Sequence, residues 1–254
     1  MNTAILLSGG VGNRIYSDVP KQYIHVGGRM LITYALATLT EASAIDRILI
    51  VAEYRWRKFI MTDAKKNRIS TDKVIGFAVP GFNRQASILN GMQEILRQAN
   101  PKMLSDCLSC SENWENMSST DTVFIHDAVR PMLSQKQVQN CFDALAEHDG
   151  VMPVLPMKDT VYVSRDGETV SNLLDRNLIF AGQAPELFRF KKYYQANMSL
   201  LPDRLASING STEPAVLVGM DIVMIPGDEK NFKITMPEDL ERFQSLKNCE
   251  RTDT

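Results

Sequence analysis

An α/β fold, with a Rossmann-like, mostly parallel sheet and helices on both faces, is the architecture this sequence predicts. Three observations predict it. Short apolar runs rich in β-branched residues alternate with longer helical patterns, and the first of those runs passes straight into a glycine-rich turn. The 254 residues are also 44% hydrophobic and 23% charged, which is enough apolar material for a substantial core.

The elements follow in chain order. Residues 4–7 read as the first strand, and residues 47–52, 74–79, 122–126 and 150–155 as later ones. Each is apolar over most of its length, as a strand covered on both faces must be. Helical periodicity marks residues 31–42, 54–67, 84–98, 135–147 and 237–246, the last opening on Pro237 at the first helical position, where proline is best tolerated. Residues 99–119 break the alternation with Ser, Asn and Glu and read as a surface insertion. Residues 159–182 break it again, with short alternating runs at 160–163 and 178–180 around the turn Arg165-Asp166-Gly167. That pattern predicts a hairpin-like arm of the kind that reaches a partner subunit. No internal repeat occurs, and residues 1–254 read as one domain.

Charge and cysteine usage narrow the function classes. A formal net charge of −2 gives no global attraction to nucleic acid or to a membrane surface, so any anion site has to be built locally. The N-terminus lacks the basic and apolar regions of a signal peptide, and no apolar run approaches the roughly 20 residues of a membrane span. The expectation is a cytoplasmic protein. Four cysteines are too few for a disulfide framework in a chain of this size and read as reduced thiols. Cys107 and Cys110 have half the spacing of a zinc site, without a second pair to complete it. His25, His126 and His148 are too scattered to form a metal cluster.

The first strand leads into Leu7-Ser8-Gly9-Gly10-Val11-Gly12-Asn13-Arg14, followed by Pro20-Lys21-Gln22. Glycines there let backbone N–H groups approach phosphate oxygens, and Arg14 and Lys21 supply the charge that a triphosphate needs. A tight strand-to-helix turn bearing solvated basic residues has the same local pattern. The segment lacks the Gly-Lys-Ser/Thr ending of a P-loop, and Ile15 stands where the dinucleotide fingerprint wants a small residue, which counts against a nicotinamide-dependent oxidoreductase. Asp127, read as a surface-side carboxylate ending the apolar run Val123-Phe124-Ile125, suits either Mg²⁺ held against a triphosphate or a turn cap paired with Arg130.

Taken together, four segments in order resemble the methylerythritol phosphate and ribitol phosphate cytidylyltransferases. They are residues 9–14 with Pro20-Lys21-Gln22, Gly81-Phe82-Asn83-Arg84-Gln85-Ala86-Ser87 with Asn90-Gly91, His126-Asp127-Ala128-Val129-Arg130-Pro131, and Asn231-Phe232-Lys233-Ile234-Thr235. The resemblance spans the chain apart from residues 99–119. It implies transfer of CMP from CTP to a small polyol phosphate, in isoprenoid or cell-wall polyol metabolism, by a Mg²⁺-dependent homodimer. It further implies Arg14, Lys21 and Lys233 as catalytic cations, Leu7, Gly9, Gly10, Gly12, Gly81, Arg84 and Ser87 around the nucleotide, and Asp127 at the metal. Ser87 and the backbone at Gly81 would read the cytosine. Arg130, Thr160, Thr212 and Arg176 would serve the acceptor, with Arg176 acting across the dimer. Two segments depart from the methylerythritol pattern: Ala184-Pro185-Glu186 stands for Thr-Pro-Gln, and Ser211-Thr212-Glu213-Pro214 aligns loosely with Thr-Asp-Glu. They leave the acceptor open between 2-C-methyl-D-erythritol 4-phosphate and ribitol 5-phosphate, and retention of Arg14, Lys21, Asp127 and Lys233 counts against a non-catalytic nucleotide-binding protein.

Overall fold

Strand β1 (Asn2–Leu7) has five buried residues of six, so it can only lie inside a sheet covered on both faces. The computed structural model describes residues 1–10, 19–99 and 118–252. After β1 come a 3₁₀ turn (Lys21–Tyr23), a short ribbon of β2 (His25–Val26) and β3 (Arg29–Met30), then α1 (Leu31–Glu41), β4 (Arg47–Val51), α2 (Tyr54–Lys66), β5 (Val74–Ala78) and α3 (Arg84–Ala99). The second half holds β6 (Thr122–Asp127), α4 (Gln135–Leu145), β7 (Gly150–Pro156), β8 (Val161–Val163), β9 (Asn172–Leu174), β10 (Phe180–Gly182) and β11 (Glu186–Arg189). It closes with α5 (Phe190–Met198), α6 (Glu213–Leu217), β12 (Ile222–Pro226) and α7 (Pro237–Thr252).

The main sheet runs β10-β7-β11-β6-β1-β4-β5. Strands β5, β4, β1 and β6 are mutually parallel, while β11 enters antiparallel between β6 and β7. Val151 of β7 pairs with Leu187 of β11 and with Val223 of β12, so β12 flanks β7 on the side away from β11. The expectation of a mostly parallel sheet with helices on both faces holds. Along β1, Ala4 and Leu6 join one apolar cluster with Leu36 of α1, Ile60 of α2 and Val138 of α4, whereas Ile5 and Leu7 join a second with Ile88 and Met92 of α3 and Tyr193 of α5. This period-two split places a helical layer on each face.

The five strands and five helices expected from periodicity are all present, within one or two residues at most ends, although α7 runs on to Thr252. The arm differs in its pairing. Residues 161–163 pair antiparallel with 172–174, while 180–182 leave the hairpin and join the main sheet against β7. The turn between β8 and β9 is held by Asp166, whose carboxylate accepts from the backbone of Glu168 and Thr169 at 3.0 and 2.9 Å, and Gly167 there has φ +80°. Most of the expected surface insertion, with Cys107 and Cys110, lies outside the described residues. Of the other thiols, Cys249 is exposed and Cys141 is buried, which pushes the latter up to about 12 and leaves it inert at neutral pH. Among the described residues no helix is long and apolar enough to cross a membrane.

Candidate active site

Because β4 lies on one side of β1 and β6 on the other, the chain leaves the sheet in opposite directions at the β1–β6 boundary. In open α/β sheets the crevice at such a boundary, beyond the carboxyl ends of the strands, is where ligands bind. Leu7 and Asp127, the last residues of the two strands, are register partners there, and the Ala128 N–H donates to the Leu7 carbonyl at 2.9 Å.

The glycine-rich loop is anchored at its start. The Ser8 hydroxyl donates to the Val51 carbonyl at 2.8 Å, and the Ser8 carbonyl accepts from Nε2 of Gln22 at 2.6 Å and from the Tyr23 hydroxyl at 2.9 Å. Gln22 also reaches the Gly10 carbonyl at 2.7 Å, so the buried amide of Pro20-Lys21-Gln22 clamps the loop against the turn that carries Lys21. Gly9 is required by contact: a Cβ there would lie 2.4 Å from the Pro80 Cβ. Gly12 and Arg14 lie outside the described residues.

Pro80 leads into the second expected segment. The Gly81 N–H donates to the Ser87 hydroxyl at 2.9 Å, and that hydroxyl donates to the Asn83 carbonyl at 2.9 Å. The Asn83 side chain caps α3 by accepting from the Ala86 N–H at 2.7 Å. A Ser hydroxyl has one donor and two acceptor positions, so Ser87 retains one acceptor lone pair, suited to an amine donor such as the exocyclic group of cytosine.

Four charged side chains converge on the end of β6. Asp127 is buried, a correction to its reading as a surface-side carboxylate, because the Ala128–Arg130 turn and α3 cover it. Its oxygens lie 3.0 Å from Arg84, 3.1 Å from Lys233 and 3.9 Å from Arg130. Burial alone would push the carboxyl up, but Arg84, Lys233 and Arg130 together hold it well below the usual carboxylate range. Beside Arg130, the turn partner expected of it, Asp127 therefore also holds Arg84 and Lys233. Arg84 bridges Asp127 to Glu186, 3.3 Å away on β11, and although burial opposes its charge, these two carboxylates raise its guanidinium further. Arg130 donates to the Asn231 carbonyl at 2.7 Å, and burial, only partly offset by Asp127 and Glu186, lowers it. Asn231 is fully buried and ties down the loop that bears Lys233 by donating to the Ala184 carbonyl at 2.9 Å. His126 is fully buried, its Nε2 3.0 Å from the Arg130 carbonyl, and burial lowers its imidazole to about 4.

The acceptor candidates are spread more widely. Thr212 is buried at the start of α6, its hydroxyl 3.4 Å from the Met152 sulfur. Thr160 and Arg176 are exposed on the arm, where Arg176 donates to the Lys158 carbonyl at 3.0 Å. Neither is joined to the Asp127 cluster by a hydrogen bond or ion pair among the described residues. Sequence reasoning noted Glu186 and Gln22 without giving either a role; a charged residue opening the apolar strand Glu186–Arg189 was the available signal for the first. Among the described residues no group of three or more His, Cys, Asp or Glu could hold a metal by itself. The Asp127 carboxylate has Oδ1 beside Arg84 and Oδ2 beside Lys233, so a hard cation could reach it only where the more exposed Lys233 turns away.

Known proteins resemble this chain over nearly all of its length. The model of the 2-C-methyl-D-erythritol 4-phosphate cytidylyltransferase family matches residues 2–108 and 109–246. The 2-C-methyl-D-erythritol 4-phosphate cytidylyltransferase of Lachnospira eligens is 27% identical over 245 residues, covering 95% of this chain and 96% of its own. That of Clostridium beijerinckii is 27% identical over 241 residues, covering 94% and 95%. Among solved structures, the 4-diphosphocytidyl-2C-methyl-D-erythritol synthase of Anaerococcus prevotii superposes with a TM-score of 0.74 at 22% identity, covering 97% of this chain and 96% of that one. The 2-C-methyl-D-erythritol 4-phosphate cytidylyltransferase of Thermus thermophilus gives 0.66 at 21%, covering 96% and 98%.

Proposed function

The chain belongs to the 2-C-methyl-D-erythritol 4-phosphate cytidylyltransferase family, and on that premise we propose which of its residues carry the reaction. It is a nucleotidyltransferase that moves CMP from CTP to a polyol phosphate. An acceptor phosphate oxygen attacks the α-phosphorus of CTP, a new P–O bond forms as the α–β bridging bond breaks, and the products are a CDP-polyol and pyrophosphate. Negative charge gathers on the α-phosphoryl oxygens, so catalysis rests on positioning and on cations rather than on a covalent nucleophile.

The observation that carries the residue assignment is the convergence of Lys233, Arg84 and Arg130 on Asp127 at the β1–β6 crevice. Lys233 is the most exposed of the three cations, with 40% of its side chain accessible, which supports the reading that it turns from Asp127 to an incoming phosphate. Arg14, Lys21 and Lys233 stabilise the transition state, while Gly9, Gly10 and Gly12 offer backbone donors and Leu7 forms the floor of the loop. Gly81 and Ser87 read the cytosine through the acceptor position left on the Ser87 hydroxyl. Arg84 fixes the nucleotide segment to Asp127. Asp127 would hold Mg²⁺, which when bound neutralises triphosphate oxygens.

On the acceptor side Arg130, Thr160 and Thr212 contact the polyol phosphate. The enzyme acts as a homodimer in which Arg176 reaches the acceptor phosphate in the other chain's pocket, through a guanidinium fork suited to phosphate. The departures at residues 184–186 and 211–214 lead us to expect 2-C-methyl-D-erythritol 4-phosphate to be a poorer acceptor than at least one other polyol phosphate.

The test is pyrophosphate release from CTP, ATP or GTP with and without Mg²⁺, across a panel holding 2-C-methyl-D-erythritol 4-phosphate and ribitol 5-phosphate. CTP should be strongly preferred and Mg²⁺ required; equal rates with ATP would remove Gly81 and Ser87 from base recognition. A panel in which 2-C-methyl-D-erythritol 4-phosphate shows the highest kcat/KM overturns the expectation about the acceptor.

A further inference from the structure

Ser211 is held at both of its polar ends by groups that lead back to the first turn of α3. Its hydroxyl donates to Oε1 of Glu186, whose Oε2 lies 3.3 Å from the Arg84 guanidinium. Its carbonyl accepts a 2.5 Å bond from the Tyr193 hydroxyl, which in turn accepts from Nε2 of Gln85 at 3.0 Å. Two residues before Gln85, Nδ2 of Asn83 donates to the Leu205 carbonyl at 3.0 Å. Asn83, Arg84 and Gln85, three consecutive residues, are therefore tied to Leu205 and Ser211 by side-chain bonds, directly or through one intermediary. Glu186, Ser211, Gln85 and Tyr193 are all buried, so water does not compete for these bonds.

The chemistry at position 186 is specific. A carboxylate is acceptor-only on both oxygens, so Glu186 can take the guanidinium on one and the Ser211 hydroxyl on the other. A buried carboxylate is costly unless it is paired in this way. An amide there offers one acceptor oxygen and would turn N–H donors toward the second partner, losing either the charge-assisted bond to Arg84 or the present bond from Ser211.

We propose that Glu186 and Ser211 are positioning residues for the acceptor, setting the loop that ends in Thr212 from the same turn of α3 that carries the nucleotide contacts. The proposal rests on the reading of Thr212 as an acceptor contact. Disturbing the relay displaces the acceptor loop while leaving the Gly81–Ser87 and Asn83–Ala86 bonds in place.

The experiment is steady-state kinetics on Ser211→Ala, Glu186→Gln, their double variant and Thr212→Ala, with 2-C-methyl-D-erythritol 4-phosphate and with ribitol 5-phosphate as acceptors. Ser211→Ala and Glu186→Gln should each raise the acceptor KM about tenfold, the scale of one hydrogen bond to a charged group. The CTP KM should move less than about twofold, which also shows that the variants are folded. The double variant should be no worse than Glu186→Gln, because both lesions cut one relay. Additive losses, or a CTP KM that rises as much as the acceptor KM, overturn the proposal. If Thr212→Ala raises the acceptor KM while the other two leave it unchanged, the relay is refuted and the role of Thr212 stands. If Thr212→Ala also leaves it unchanged, the assignment of the loop fails and the proposal falls with it.

Discussion

Asp127 is stabilised by the cations it gathers, and its removal should be felt by the fold as well as by the chemistry. In Asp127→Asn, Arg84, Lys233 and Arg130 face a neutral amide, which should cost about 3 kcal/mol of stability at neutral pH, the scale of a broken buried ion pair. The folded carboxyl sits below its ordinary value of 3.8, so its contribution is complete above that pH and is lost as the pH falls below it. Chemical denaturation should therefore show a deficit in the variant that narrows as the pH drops below about 4; a deficit that widens would contradict the ion-pair account. His126 has the opposite charge type and the same direction of shift. Its folded value of about 4 lies below the ordinary 6.5, so the unfolded chain takes up a proton that the buried ring refuses, and stability is lost as the pH falls between the two. Between about pH 7 and pH 5 the wild type should lose about 2 kcal/mol more than His126→Gln. Parallel curves would show that His126 is not the group responsible.

At the scale of the element, α3 works through its first turn. Its N-terminal residues bind the loop at Gly81, cap themselves through Asn83 and reach Asp127 through Arg84. The fit between loop and helix is close: a Cβ on Gly81 would lie 2.4 Å from the Ala86 Cβ and 2.8 Å from the Ser87 N. Gly81→Ala must therefore push the loop off the helix, at a cost on the scale of about 1–3 kcal/mol for overpacking. The expected result is a lower melting temperature together with a CTP KM raised about tenfold or more, because the displaced segment is the one assigned to the cytosine. A variant with an unchanged CTP KM would separate this segment from nucleotide binding.

At the scale of the whole molecule, the arm presents apolar side chains to solvent: Tyr162, Val170, Leu173, Leu178 and Phe180 are all exposed. An arm of this kind suits a partner subunit, and Arg176 on it is exposed and tethered to its own chain through the Lys158 carbonyl. Lys21→Ala should reduce turnover by about 10² to 10³, the usual scale for one preorganised charge contact. Mixing that dead variant with a dead Arg176→Ala variant under conditions of subunit exchange tests the shared site. A mixed dimer then has one pocket with both lesions and one with neither, so statistical mixing should restore up to about a quarter of wild-type sites. A mixture as inactive as its parents would place Arg176 in its own chain's pocket.

What the amino-acid sequence determined by itself is local in origin. Apolar runs at residues 4–7 and 122–126 and helical periodicity at 84–98 each follow from backbone and side-chain preferences of neighbouring residues, whereas the motif around Lys233 was legible only through its resemblance to the family. The order of the strands was not legible, nor was the partner of 161–163 in the arm, because the alternating run at 178–180 offers the same pattern as the true partner at 172–174. Tertiary structure alone decided that Asp127 is buried among cations and that Glu186 belongs beside Arg84. Those contacts join residues 43 and 102 positions apart: the first forms where α3 begins beside the end of β6, and the second because β11 inserts antiparallel beside β6 and brings its first residue there. A charge whose partners are chosen by strand order has no signature in its neighbours along the chain, so its environment is set by the assembled sheet.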